Sequence, residues 1–161
     1  MIIRPGGAAD REAVAHLFRR ISSESYYQRF QTARGPAPNP GLLDRVLPVR
    51  PDAGSLLVFD TSGELVGHGM WVRLDETRAG EIALVVADSH QRRGIGTALA
   101  RALTDELAVR GIEQVRVLTS PGNRAVRGLL ARAAPTATPS YEEGMTTWTF
   151  PASRSPRAAV A

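Results

Sequence analysis

The chain of 161 residues contains no cysteine and no lysine. The absence of cysteine excludes disulfides, thiolate zinc sites and a cysteine nucleophile. The absence of lysine means that arginine supplies all 20 basic side chains, against 16 acidic residues and a formal charge of +4. A GC-rich genome that favours arginine codons is the simplest explanation of this bias. Attraction of an anionic ligand is the functional alternative.

Aromatic residues make up only 6% of the chain, and no apolar run approaches the roughly 20 residues of a membrane-spanning helix. The arginines are scattered and not interleaved with aromatic residues, which argues against binding of nucleic acid. The three histidines lack the spacing of metal ligands, so no metal site is predicted. The start of the chain has no basic segment followed by an apolar one, so we expect no signal peptide, no membrane partner and a cytoplasmic location.

Hydrophobic periodicity predicts one domain over residues 1–150 and a disordered tail over residues 151–161. A helix is expected from Asp10 to Ile21, and Ser22 or Ser23 is expected to cap a second one. Residues 32–41 hold three prolines and two glycines, which predicts a loop that could line a site. The segment GLLDRVL predicts one or two helical turns. The order βααβββαβαββ predicts an α/β (α+β) fold, with a mixed central sheet of about six to seven strands flanked by about four helices.

A glycine-containing turn follows the apolar strand EIALVVA and precedes a helix that is closed by Gly111. It is not a Walker A loop, because no Gly-Lys-Ser/Thr follows, and Leu99 stands where a dinucleotide fingerprint needs glycine or alanine. The pattern instead predicts a helix N-terminus whose backbone amides point at a phosphate, with adjacent arginines reinforcing the anion. The residues of this turn are Gln91, Arg92, Arg93, Gly94, Ile95, Gly96 and Thr97.

The stretch VVADSHQRRGIGTALARALTDELAVRGI, followed by a strand and then SPGNRAV, resembles the Gcn5-related N-acetyltransferase (GNAT) family. The resemblance runs from Ile2 to Phe150 and implies the GNAT fold with acetyl-CoA as cofactor. It also implies that the turn at residues 91–97 holds the pyrophosphate of coenzyme A. The preceding strand would pair with the pantetheine arm through backbone groups of Leu84, Val85 and Val86. Asn123 matches an asparagine that contacts the pantetheine or the thioester region.

A narrower resemblance is carried by ISSESYYQRF, AGEIALVVADSHQRRGIG and YEEGM. These segments are similar to the catalytic domain of bacterial protein lysine acetyltransferases (Pat-like), which acetylate a lysine of acyl-CoA synthetases. The resemblance implies an N-acetyltransferase with a protein lysine as the favoured acceptor. A small-molecule amine acetyltransferase for a polyamine, an antibiotic or an amino acid stays open, and so does a non-catalytic acyl-CoA-binding module. The sequence does not choose between a monomer and a homodimer.

Transfer of an acetyl group to an amine requires removal of a proton, since an alkyl ammonium has a pKa near 10.4. Glu81, at the start of the strand EIALVVA, is the candidate general base, because burial would raise its pKa. The family carries its base at this position. A backbone amide of this strand, such as that of Val85, would stabilise the oxyanion. Leu130 stands where the family usually has a tyrosine acid, so water is expected to protonate the thiolate.

Three further side chains are candidates for the acceptor groove. The resemblance places the second helix beside this groove, which makes Tyr26 and Tyr27 candidates, with core packing as the alternative for one of them. His68 lies on a strand in the segment GHG, where a structural role is the more common one. Asp88 is expected to shape the turn before the phosphate-binding segment.

Overall fold

The computed structural model describes residues 1–33, 40–74 and 78–153. Over these ranges the chain forms seven strands and five α-helices. The strands are β1 (Ile2–Pro5), β2 (Ala53–Phe59), β3 (Leu65–Arg73), β4 (Ala79–Val86), β5 (Gln114–Thr119), β6 (Thr138–Glu142) and β7 (Met145–Pro151). The helices are α1 (Arg11–Arg20), α2 (Ser23–Phe30), α3 (Pro40–Val46), α4 (Ile95–Val109) and α5 (Arg124–Ala133). The α/β fold class is confirmed, with one helix more than the expected four.

The strands form one mixed sheet in the order β1-β2-β3-β4-β5-β7-β6. Only β4 and β5 are parallel, and every other neighbouring pair is antiparallel. The parallel pair is joined through α4, because parallel strands need a crossover connection. In this order β4 is the central strand of the sheet. Its apolar sequence EIALVVA is typical of a strand that is covered on both faces.

Helices cover the two faces of the sheet unequally. α4 packs on β3 and β4 so closely that a Cβ added at Gly69 would lie 2.7 Å from Cδ1 of Leu103. On the opposite face α1 packs on β3, and the rings of Phe18 and His68 meet edge to face at 5.5 Å. α2 lies on this same face against β4. No helix among the described residues is long and apolar enough to cross a membrane.

The start of α2 agrees with the sequence prediction, whereas the start of α3 differs from it. Ser22 is the N-cap of α2 and accepts a hydrogen bond from the N–H of Ser25 at 3.1 Å. The loop predicted for residues 32–41 is wrong at its end, because Pro40 already begins α3, and residues 34–39 lie outside the described residues. Ala152 donates its N–H to the Glu113 carbonyl at 2.9 Å, whereas residues 154–161 of the predicted tail lie outside the described residues.

Candidate active site

The central parallel pair of strands separates after three residue positions. Ala79, Gly80 and Glu81 pair with residues 114–116, and the pairing goes no further. From residue 82 onward, the edge of β4 that faces β5 lacks a strand partner. Leu84, Val85 and Val86 all lie in this separated half of β4. Backbone groups that a sheet leaves unpaired need another partner, so the separation can receive an extended ligand between the two strands.

The N-terminus of α4 opens beside the separated end of β4. Gly94 is the N-cap residue with φ of 82°, and Arg92 also has a positive φ of 64°. Among the described residues, no acceptor receives the backbone N–H groups of residues 92–97. Arg92 and Arg93 are exposed and form no ion pair with a described residue. Free N–H groups, the positive end of the helix dipole and two guanidinium groups together form a site for a phosphate anion.

The two glycines of this turn serve different purposes. Gly94 takes a left-handed backbone conformation that other residues adopt only with strain. Gly96 lies where α4 meets α5, and a Cβ there would be 3.1 Å from Cδ1 of Leu129. One glycine therefore sets the direction of the turn, and the other lets the two helices approach each other.

Glu81 lies at the last paired position of β4, where the two strands begin to separate. Its register partners are Val72 on β3 and Arg116 on β5, so the three side chains share one sheet face. Burial raises the pKa of the Glu81 carboxyl, while the positive charges of Arg29 and then Arg116 lower it. The net result is a pKa above the ordinary glutamate value, which is the direction that suits a general base.

A cluster of hydrogen bonds ties the start of α2 to the turn that precedes α4. The Asp88 carboxylate accepts hydrogen bonds from the N–H and Oγ–H of Ser22, both at 2.8 Å, and from Oγ–H of Ser25 at 2.7 Å. Burial raises the pKa of Asp88, but these hydrogen bonds together outweigh it and the pKa is lowered. The Gln91 side chain donates to Ser25 Oγ at 3.2 Å and to the Val86 carbonyl at 3.1 Å.

The other half of α2 reaches the turn after β5. The side-chain oxygen Oε1 of Gln28 accepts hydrogen bonds from Oγ–H of Ser120 at 2.7 Å and from Nδ2–H of Asn123 at 2.9 Å. Asn123 also caps α5, because its Oδ1 accepts the N–H of Val126 at 3.1 Å. α2 therefore bridges the ends of the two separating strands. Sequence reasoning missed Gln28, since nothing in its neighbourhood along the chain points to residues about 90 positions away.

The three acceptor-groove candidates differ in their surroundings. Tyr26 is only 6% exposed and packs on Phe30 with the ring centroids 4.6 Å apart, whereas Tyr27 is 46% exposed. His68 is fully buried, and its Nε2–H donates to the Val46 carbonyl at 2.8 Å. Burial and the nearby Arg29 charge lower the pKa of His68 to about 3, so the imidazole is neutral. Core residues therefore surround both Tyr26 and His68. Leu130, which stands at the position of the family's usual tyrosine, is also buried, with 2% of its surface exposed.

Among the described residues, the sheet face that carries Glu81 continues as an accessible surface over β5, β7 and β6. Register places Arg116 opposite Thr149 and Leu118 opposite Thr147, all on this face. Leu118 is 48% exposed, and β6 is exposed along its whole length. Within the described part of the chain, α1 and α2 lie against β3 and β4, and α3 packs on α1. The same part contains no cluster of three or more histidine or acidic side chains that could hold a metal ion.

The site combines a separated parallel strand pair, a helix N-terminus suited to a phosphate and a partly buried glutamate between them. This combination suits a CoA-dependent acyltransferase, because coenzyme A is an extended molecule that carries phosphates. The family model for the acetyltransferase (GNAT) family matches residues 13–134. The chain therefore belongs to the GNAT family, and it is an acetyltransferase that uses acetyl-CoA.

Known proteins resemble the chain in sequence and in structure. An acetyltransferase of Pseudomonas aeruginosa is 29% identical over 133 residues, which cover 80% of this chain and 71% of that protein. The GNAT domain of S. lividans PAT has a TM-score of 0.83 at 24% identity, covering 92% of this chain and 89% of that one. The spermidine N-acetyltransferase of Vibrio cholerae, solved with CoA and spermine, has a TM-score of 0.73 at 13% identity. Its match covers 95% of this chain and 96% of that one. At these identities the two solved structures establish the fold and leave the acceptor open.

Proposed function

We propose that this protein transfers the acetyl group of acetyl-CoA directly to a primary amine, with a lysine of a protein such as an acyl-CoA synthetase as the favoured acceptor. The observation that carries the proposal is the position of Glu81. It lies at the point where β4 and β5 part, on a sheet face that the described residues leave accessible at Leu118 of β5. An open face accommodates a loop of a folded protein, whereas a polyamine is better held in a closed acidic pocket.

The residues of the chain divide the work of this reaction. The turn at residues 91–97 would bind the pyrophosphate, and the free edge of β4 from Leu84 to Val86 would align the pantetheine arm. Acetyl-CoA supplies an activated acyl carbon, and the amine nitrogen forms a bond to it as the carbon–sulfur bond breaks. Glu81 would take the proton that the amine must lose. Water would return a proton to the departing thiolate, because Leu130 offers no acidic group and a thiol has a pKa of only about 8.5.

The test compares the wild-type protein with Glu81→Gln in two assays. Labelled acetyl-CoA is incubated with each protein and a lysate of the source organism, and CoA binding is measured separately. We expect label in a discrete protein band that is lost with Glu81→Gln, while both proteins bind CoA equally. Release of CoA only on addition of small amines would instead support a small-molecule enzyme. Binding without any transfer would favour an acyl-CoA-binding module.

The absence of lysine makes the labelling assay easy to interpret. The chain has no side-chain amine of its own to acetylate, so any label on the enzyme itself can reach only its N-terminus. Label that appears in any other band with the wild type and is lost with Glu81→Gln therefore identifies an acceptor from the lysate.

A further inference from the structure

Arg29, near the end of α2, has a guanidinium group without a hydrogen-bond partner among the described residues. Its Nε and Nη2 are shielded from solvent and donate to no described acceptor. The group stacks over the ring of Phe30, with its central carbon 4.8 Å from the ring centroid. The residue as a whole is only partly buried. An unpaired buried charge costs stability, and a fold that keeps one needs another reason to do so.

The charges around Arg29 leave a net positive site. Glu81 is the acidic group that interacts with it, and no ion pair within 4 Å joins the two residues. Arg116 brings a second guanidinium to the same carboxylate. His68, beneath them, is neutral and adds no negative charge. Two cations therefore face one carboxylate among the described residues, and the balance becomes more positive when Glu81 takes up a proton.

This balance disfavours one type of acceptor and favours another. A polyamine brings several positive charges and would be repelled by Arg29 and Arg116. An amine accompanied by a carboxylate would place its negative charge against the unpaired guanidinium. Such a charge-assisted hydrogen bond is among the stronger polar contacts in proteins.

We propose that the acceptor of this enzyme carries a carboxylate beside its reactive amine, and that Arg29 is the specificity-determining residue that binds this carboxylate. The inference rests on the proposed amine acetylation and adds the class of acceptor to it. Two sources share this chemistry. One is an acidic side chain that lies beside a lysine in a protein, and the other is the carboxylate of a free amino acid.

The first experiment measures the distance between amine and carboxylate that the site prefers. A series of unbranched ω-amino carboxylates of increasing chain length is compared with the matching carboxamides, and CoA release is followed with a thiol reagent. Because the protein has no cysteine, this reagent detects only CoA. We expect the carboxylate to exceed its carboxamide in kcat/KM by about 10- to 100-fold at one chain length, as a charge-assisted hydrogen bond allows. Equal values at every length would overturn the inference.

Variants assign the preference to Arg29. Arg29→Met should remove the carboxylate preference, and Arg29→Lys should retain part of it. Arg45→Met, a change of an exposed arginine on α3, is the matched control and should leave the preference intact. A full preference in Arg29→Met would contradict the assignment. The wild-type comparison of acid and amide needs no variant, so it stands even if Arg29→Met folds poorly.

A binding assay separates failure of this inference from failure of the proposed function. The same ligands are added to the CoA-loaded protein, and the rise in melting temperature is recorded for wild type and for Glu81→Gln. Carboxylate-selective binding that persists in Glu81→Gln supports the Arg29 site, whether or not Glu81 proves to be the base. If no compound is turned over and the carboxylates bind no better than the carboxamides, the Arg29 inference fails.

The source of the carboxylate is identified with peptides. Lysine peptides with aspartate on either side of the lysine are compared with the same peptides carrying asparagine, and both with the free ω-amino carboxylates. Higher kcat/KM for the aspartate peptides indicates an acidic protein segment. Higher kcat/KM for the free compounds indicates an amino acid. Loss of either preference in Arg29→Met is required in both cases.

Discussion

Two regions of the molecule are built differently. They are the proposed cofactor end, which is the turn at residues 91–97, and the proposed acceptor side around Glu81. At the proposed cofactor end, residues 91–97 are contiguous, and the backbone N–H groups of one helix start would provide the binding groups. On the acceptor side, Arg29, Glu81 and Arg116 come from three separate elements and act through their side chains. A site made of backbone groups leaves a pattern in the sequence, whereas a site of side chains assembled across the sheet does not.

Substitutions of the arginine pair and of Glu81 offer the largest effects that separate the two regions. Arg92→Gln combined with Arg93→Gln should weaken CoA binding by about 10- to 100-fold, because charge-assisted contacts to the phosphates are lost. In contrast, Glu81→Gln should lower kcat by about 100- to 10,000-fold and leave CoA affinity unchanged. Calorimetric titration and initial rates measure the two quantities.

A control for the arginine pair removes the same charge elsewhere. Arg45→Gln combined with Arg50→Gln changes two exposed arginines outside both regions. Binding that weakens equally in this protein would show that net charge, not the position at the helix start, attracts CoA.

The pH dependence of activity tests whether Glu81 acts as the base and whether Arg29 influences its pKa. Glu81 must be unprotonated to act as a base, so kcat/KM should fall as the pH drops through the pKa of its carboxyl. Burial places that pKa above the ordinary glutamate value. In Arg29→Met the midpoint should move to still higher pH, because the positive charge of Arg29 lowers the pKa of Glu81. A midpoint that stays where it is in Arg29→Met would mean that the two groups do not interact.

The Asp88 cluster connects the two regions and should contribute moderately to stability. Asp88→Asn weakens three hydrogen bonds to Ser22 and Ser25, and we expect a loss of about 1–2 kcal/mol in the free energy of unfolding at neutral pH. Exposure to solvent keeps this value small. Urea unfolding measures it, with Glu142→Gln at an exposed carboxylate of β6 as a comparison.

The direction in which the stabilisation by Asp88 changes with pH follows from the pKa of its carboxyl. The folded protein lowers this pKa, so the stabilisation is fully present above the ordinary aspartate value and is lost as the pH falls through the lowered one. The stabilities of wild type and Asp88→Asn should therefore converge in acid. A difference that does not depend on pH would show that the charge of Asp88 is unimportant.

The smallest expected effect concerns the backbone of the cofactor turn. Gly94→Ala places a side chain at a φ of 82° where no atom would contact its Cβ, so only backbone strain opposes it. We expect a loss of about 1 kcal/mol in stability, with a several-fold weaker affinity for CoA if the turn relaxes. Alanine at the neighbouring exposed Arg93 serves as the reference for stability. An unchanged melting temperature in Gly94→Ala would exclude strain at this position.

The sequence predicts features that depend on neighbouring residues better than features that depend on distant contacts. The glycine turn before α4 and the N-cap Ser22 were predictable, because backbone conformation and capping depend on neighbours within a few positions. Glu81 was a candidate because of its place at the start of a buried strand. Gln28 and Arg29 were not candidates, because their significance lies in contacts with β5 and β4 that only the folded sheet brings near.

The order of the elements, the glycine turn before α4 and the family were readable from the sequence, because periodicity, capping and backbone conformation are local properties. Contacts between distant segments determine where β4 and β5 separate, that α2 bridges their ends, and that Arg29 lies near Glu81 without a described hydrogen-bond partner. Strand separation depends on the packing of the whole sheet, and the energy of a charge depends on every group that surrounds it in space. Neither quantity has a signature within a short stretch of chain.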